Sequence, residues 1–501
     1  MRKKTVAETP ETSDVTLLND KAFKKSDDLT PLQVVEYLNR YIIGQDKAKR
    51  SVAVALRNRI RRKKLSAEMA KEISPKNILM VGPTGVGKTE IARRLASLVS
   101  APFVKVEATK FTEIGYVGRD VETMVRDLVE AAVSMVRKRM LVEVQEAARL
   151  RAEERIVDAM LPRNKRKISV PDIMKVFGVE SDDDSTEEDE HDQECDRDKK
   201  RRDSDKKSDS TRERILYMLK EGKLEDREID ISVAESSVVG IPLFGASGMD
   251  SMGINIGEIL GGVLPKKSKK RRIKVSEARR IMAAEEAEKL IDNEALSQEA
   301  LEKAQEDGII FLDEIDKVVA KGGGGSSPDV SREGVQRDLL PIVEGSVVQT
   351  RHGPVKTDHV LFIAAGAFSS VKPSDLIPEL QGRFPIRVEL QPLSWENLQE
   401  ILTEPENSLL KQYIALIGAE GVELRFTEEA TREIAVLSSK MNSEMEDIGA
   451  RRLHTMMEQL LEEISFSVCD DSEKVIEIDL EFVKGRLNNL VENRDIRRYL
   501  L

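Results

Sequence analysis

The stretch GPTGVGKT, residues 82–89, limits what this chain can fold into more than any other part of it. It satisfies G-x-x-x-x-G-K-[S/T] at every defined position. The apolar run KNILMVG (76–82) precedes it, and the helical pattern TEIARRLASLV follows it. A buried strand that ends in a Gly-rich turn and reopens as a helix is a piece of a parallel α/β sheet. The glycines let successive backbone N–H groups converge on phosphate oxygens, and the helix N-terminus adds partial positive charge. Lys88 brings a mobile cation for the β- and γ-phosphates, and Thr89 a hydroxyl for Mg²⁺. The pattern asks for a nucleoside triphosphate.

A second apolar run, IIFLDE (309–314), ends in two carboxylates. Asp313 can hold magnesium through water, and Glu314 can polarise the attacking water. PFVKVEA (102–108) and HVLFIAAGAF (359–368) are further strand candidates. Between these halves of one α/β unit the texture is helical, beginning with a long helix from about residue 121. An inserted, mostly helical segment over 131–299 follows from that break. Within it, 180–214 has almost no apolar residues and splits into acidic and mixed-charge blocks, the signature of disorder. Residues 215–300 return to helical patterning, broken by a Gly-rich stretch (245–262) and the basic run KKSKKRRIK (266–274), read as a solvated or intramolecular charge face. Residues 1–29 read as a flexible arm. Thr30-Pro31 opens a helix, with threonine as cap and proline at the first helical position. From 393 to 501 the pattern is helical, with a strand or hairpin at EKVIEIDLEFV (473–483).

A chain of 501 residues holds two or more domains. The net charge of −11 argues against a large nucleic-acid footprint. Two cysteines, Cys195 and Cys469, and four scattered histidines make neither a disulfide framework nor a zinc site. A reducing, cytoplasmic setting is expected, since no apolar run reaches membrane-spanning length and no signal peptide is visible. Arg383 in ELQGRFP and Arg451 in IGARRLH are each open to two readings, a γ-phosphate contact or a surface ion pair. Gly115-Tyr116-Val117-Gly118 sets an aromatic ring between two glycines, on backbone that is free to swing.

These stretches, with YIIGQDKAKRSVAVALRNR, TEIGYVGRDVE, PDVSREGVQRDLLPIVEG, LIPELQGRFPIRVEL, DIGARRLHT and RDIRRYLL, make the chain similar to the AAA+ ATPases, and within them to the HslU (ClpY) family, from about residue 31 to the end. The resemblance implies an α/β nucleotide-binding domain (30–130 with 300–392), a mostly helical inserted domain (131–299) and a small helical C-terminal domain (393–501). It implies that Ile42 and Ile43 pack the adenine, and that Gly85, Val86, Gly87, Lys88, Thr89 and Glu90 cradle the phosphates. Asp313 and Glu314 become the acids of the site. Glu379 joins the nucleotide-contacting positions. Arg383 becomes a finger reaching a neighbouring subunit's ATP, and Arg451 a sensor of its own. The family forms six-membered rings whose Gly-Tyr-Val-Gly loops line a pore. Tyr116 and Val117 would then grip unfolded protein without reading its sequence. The tail RRYLL would dock on an HslV-like threonine peptidase. One departure stands out: Ala364-Ala365 are apolar where many AAA+ proteins place a polar sensor. A ClpX-like unfoldase shares the pore loop but carries an N-terminal zinc module with paired cysteines. A nucleic-acid motor would need a basic groove, for which only 266–274 speaks.

Overall fold

The computed structural model describes residues 29–73, 75–112, 119–160, 212, 214–234, 268–319, 332–467 and 475–492. The expected arm up to residue 28, the charged tract up to residue 211, the Gly-rich stretch 245–262, the 115–118 loop and the docking tail lie outside the described residues. The chain divides into two compact units, Met1–Val136 with Glu294–Leu501, and Arg137–Asn293.

Five strands form the sheet of the first unit: β1 (Ile78–Val81), β2 (Phe103–Glu107), β3 (Ile309–Asp313), β4 (Leu361–Gly366) and β5 (Ile386–Glu389). Their order is β2-β3-β4-β1-β5, and every neighbouring pair is parallel. The central strands are unbroken apolar runs because both faces are covered; Ile78, Met80, Phe311, Phe362 and Ile363 are fully buried. Met80 pairs with Ala365, Leu312 with Ala364, and Glu107 with Asp313. The C-terminal ends of β1, β3 and β4 therefore reach one edge together. The strand order also reverses there, which is where open α/β sheets collect ligands.

Helix α1 (Pro31–Asn39) opens on a capping box, as Thr30-Pro31 predicts. Gln33 N–H donates to Thr30 Oγ1 at 3.3 Å, and Thr30 N–H donates to Gln33 Oε1 at 3.0 Å. With α2 (Asp46–Lys63) and α3 (Lys88–Leu98) it lays Leu38, Val52, Leu56, Ile91 and Leu95 into one core with the sheet. Then come α4 (Thr123–Met160), α5 (Arg332–Glu344) and the short α6 (Pro378–Arg383). The C-terminal helices, among them α7 (Arg451–Ser467), surround a separate core that includes Leu398, Ile434, Met457 and Leu461. Of the expected strand or hairpin at 473–483, the described residues hold one strand, Val475–Ile478, which pairs in parallel with Glu423–Phe426. Asp479 ends it by accepting the Phe482 N–H at 2.8 Å, a cap that opens the helix Leu480–Glu492.

In the second unit, Ile156, Val157, Leu219, Ile231 and Met282 form the core. Here the helical expectation for 215–300 needs correction. Ser268–Lys274, the body of the basic run, is a strand antiparallel to Glu228–Ala234. Two of its charges are met across and beside the ladder, Arg272 by Glu228 at 2.9 Å and Lys274 by Asp226 at 3.1 Å. Opposite charges on facing strands stabilise such a pair, which composition alone does not reveal.

Candidate functional site

Three strand ends build the site. Beyond β1 the loop 82–87 turns into α3; beyond β3 stand Asp313 and Glu314; beyond β4 come Gly366 and Ala367. All of them line one cleft of about 530 Å³, apart from Gly82 and Pro83 at the root of the loop. That volume suits a nucleotide.

Lys88 is buried at the mouth of α3, and its Nζ donates to the carbonyls of Gly82 and Pro83, both at 2.6 Å. Burial pushes its ammonium below the ordinary range, Asp313 and Asp316 pull it back up, and Arg451 adds to the lowering. Such a cation is poorly hydrated and ready to meet a polyanion. Thr89 Oγ1 lies 3.5 Å from Asp313 Oδ2. A hydroxyl and a carboxylate side by side fit Mg²⁺, a hard ion that takes one or two carboxylates and fills its shell from phosphate and water. Among the described residues no group of three or more His, Cys, Asp or Glu could hold a metal. Lys105 Nζ sits 2.9 Å from the same Asp313 oxygen. Glu314 follows at φ +58°, left-handed backbone that a non-glycine residue rarely adopts, and its carboxylate is exposed.

The lining also includes the apolar Ile42, Ile43, Leu393, Ile401 and Leu453, a surface for a flat ring. Tyr41 braces it. Its hydroxyl donates to Glu406 Oε2 at 2.7 Å, and the Arg94 guanidinium stacks 3.8 Å from its ring centre. Burial and the Glu406 bond raise the phenol to about 12. Arg94 also bonds Glu90, as does Arg93, at 2.7 and 2.6 Å. Burial works against the charge on Glu90, yet these two bonds hold its carboxyl below the usual range.

The third wall comes from the C-terminal helices. Ala450 N–H donates to Gly85 O at 3.2 Å, and Thr84 Oγ1 to Asp447 O at 3.0 Å. Gly85 (φ +72°) and Gly449 (φ +58°) meet so closely that a methyl on Gly85 would lie 2.0 Å from Ile448 O, and one on Gly449 2.7 Å from Thr84 O. Arg451 begins α7 and lines the cleft, while its neighbour Arg452 is buried as a strut on Asn442 and Glu446.

Of the residues singled out in the sequence, Ile42, Ile43, Gly85, Val86, Gly87, Lys88, Thr89, Glu90, Asp313, Glu314 and Arg451 share this cleft. Glu379 and Arg383, both on α6, do not line it. Arg383 instead pairs with Glu344, its Nε and Nη2 at 2.9 and 2.8 Å from one carboxylate oxygen. Sequence reading missed Tyr41, Asp316 and His454, which also line the cleft. Asp316 had a signal, two residues beyond Glu314 in the same turn; His454 stands one helical turn beyond Arg451.

A parallel sheet with a phosphate loop, paired acids on the next strand but one, and a helical lid contributing an arginine define a P-loop ATPase of the AAA type. Two family models match, "ATPase family associated with various cellular activities (AAA)" over residues 78–175 and "AAA domain (Cdc48 subfamily)" over 226–387. Curated relatives match at about half identity over nearly full length. An "ATP-dependent protease ATPase subunit HslU" from Syntrophomonas wolfei is 53% identical over 94% of this chain and 99% of its own. The protein of that name from Thermotoga maritima is 51% identical over 95% and 100%, and that from Halalkalibacterium halodurans 52% over 94% and 99%. The chain belongs to the HslU family of AAA+ ATPases. Among the described residues no helix is long and apolar enough to cross a membrane.

Proposed function

We propose that this chain is the ATP-driven unfoldase of a cytoplasmic two-component protease, working as a ring of six copies. It grips unfolded protein with Gly115-Tyr116-Val117-Gly118 and threads it into an HslV-like threonine peptidase docked on the C-terminal tail. The observation that carries the reading is the cleft, where Lys88, Thr89, Asp313, Glu314 and Arg451 converge from two separately cored parts of one unit. The names of the relatives, protease ATPase subunits, point the same way. The unit Arg137–Asn293 is read as a domain inserted into the ATPase.

In this reading Thr89 and Asp313 would hold Mg²⁺, which would supply positive charge against the phosphate oxygens. Lys88 exchanges its two loop carbonyls for phosphate oxygens. Glu314 orients the attacking water and accepts its proton. Ile42 and Ile43 pack the adenine. Arg451 senses the nucleotide of its own chain, while Arg383 serves the next subunit's cleft, in keeping with its place outside its own; Glu379, on the same helix, is read as a nucleotide-contacting residue.

The test is ATP-dependent degradation of an unfolded protein, with and without an HslV-like peptidase. Wild type degrades only with the peptidase present, and Tyr116→Ala hydrolyses ATP but no longer feeds it. Degradation preserved in Tyr116→Ala removes the pore-grip role. Deleting residues 496–501 leaves basal ATP hydrolysis intact and abolishes stimulation of peptide cleavage; unchanged stimulation removes the docking role.

A further inference from the structure

We propose that the buried side-chain amide of Gln336 couples each chain's own cleft to its Arg383, making Gln336 a positioning residue for ATP hydrolysis. The proposal rests on the reading of Arg383 as the residue that serves a neighbouring site.

Gln336 lies on α5 with 1% of its surface exposed. Its Nε2 donates to Val318 O at 2.9 Å, and its Oε1 accepts the Ile377 N–H at 2.9 Å. These two partners belong to different machinery. Val318 closes the turn Ile315–Val318, which begins directly after Glu314. Ile377 is the N-cap of α6, the helix that bears Glu379 and Arg383. One amide thus spans from the acids of the cleft to the root of the arginine's helix.

The same turn also holds the end of β4. Asp316, 5% exposed, accepts the Ala367 N–H on Oδ1 at 3.3 Å, and a methyl on Gly366 would lie 2.7 Å from that oxygen. The tip of β4 offers only the fully buried Ala364 and Ala365, with no side-chain polar atom to register the nucleotide. The turn, through Asp316 and Gln336, supplies the polar contacts that β4 lacks. At its other end α6 is pinned to the sheet, since Asn77 Nδ2 donates to Arg383 O at 3.1 Å and Asn77 Oδ1 accepts the Phe362 N–H. A displacement of the Glu314 turn then moves the N-terminus of α6 against a fixed C-terminus, and swings Arg383. Helix α5 carries both Gln336 and Glu344, the carboxylate that holds Arg383, so both contacts shift together. Breaking the amide link leaves a buried carbonyl and a part-buried N–H unpaired, which the fold resists.

The experiment is a double-mutant cycle on the full chain, reading kcat for ATP, affinity for a fluorescent ATP analogue, and melting temperature. Arg383→Ala is scored first: turnover down by about 10³-fold or more is expected, and wild-type turnover overturns the finger reading itself. Gln336→Leu lowers kcat about tenfold or more while nucleotide affinity stays within about twofold, and adds less than about twofold to the loss already caused by Arg383→Ala. Ile377→Pro tests the link from its other end. Ile377 sits at φ −58° and Leu376 at φ −65°, ψ 154°, so proline fits the backbone, and the N–H is lost together with the Ile377 side chain. It reproduces the Gln336→Leu effect and carries the test if that variant melts early. Full turnover in Ile377→Pro, losses that multiply with Arg383→Ala, or a parallel fall in affinity overturns the coupling.

Discussion

On the proposed reading, Glu314 is the residue where the fold gives up stability for chemistry. Its left-handed backbone costs on the order of 1–3 kcal/mol in a residue with a Cβ, and it follows Asp313 with no spacer. Glu314→Gly should therefore melt no earlier than wild type while losing hydrolysis. Glu314→Gln keeps the shape and removes the base. Its ATP turnover is expected to fall by about 10²–10⁴-fold with nucleotide still bound, checked by steady-state hydrolysis beside retention of labelled ATP. Normal turnover in Glu314→Gln would strip the residue of its role. Lys88, Thr89 and Asp313 were legible in the sequence because their chemistry dictates spacing along the chain. His454 was not, because nothing local separates an imidazole that lines a cleft from one on a solvated helix; Asp316 carried only its nearness to Glu314 as a signal. Only the packing of distant elements makes that distinction.

At the level of elements, three of the five strands of the main sheet, β1, β3 and β4, could be read as apolar runs, since a parallel strand buried on both faces leaves that trace, and β2, at the sheet edge, was legible as a strand candidate. Strand β5 could not. At the sheet edge it needs only Ile386 and Val388 turned inward, and a four-residue alternation is too short to stand out. The hairpin Val347–Thr350 with Gly353–Lys356 was missed because its turn, Arg351-His352, carries no Asn-Gly or Asp-Gly signal. Nor could any local pattern announce that the phosphate loop would be clasped by residues 447–450. That clasp predicts opposite outcomes for two glycines. Gly449→Ala places a methyl 2.7 Å from Thr84 O at positive φ and should destabilise by about 1–3 kcal/mol and weaken ATP binding. Gly382→Ala, inside α6 with open space around it, should be neutral or stabilise by about 0.5–1 kcal/mol. Chemical denaturation beside a nucleotide titration separates the two.

For the molecule as a whole, the separation of Arg383 from its own cleft has a genetic consequence. A chain with Arg383→Ala and a chain with Glu314→Gln are each expected to be inactive alone. In the proposed ring, mixing them pairs an intact arginine with an intact glutamate at some interfaces, and part of the ATP turnover should return. No recovery on mixing would place both residues in service of one chain's own site. The clasp between Gly85 and Gly449 bears on heat as well as on chemistry. The α/β core and the C-terminal helical core are separate apolar clusters with Leu393 packed against both, and they also touch where the triphosphate would lie. A ligand seated there is a bolt through both plates: calorimetry should record two overlapping endotherms for the nucleotide-free chain, and their merger into one sharper peak at a higher temperature once the bolt is in place.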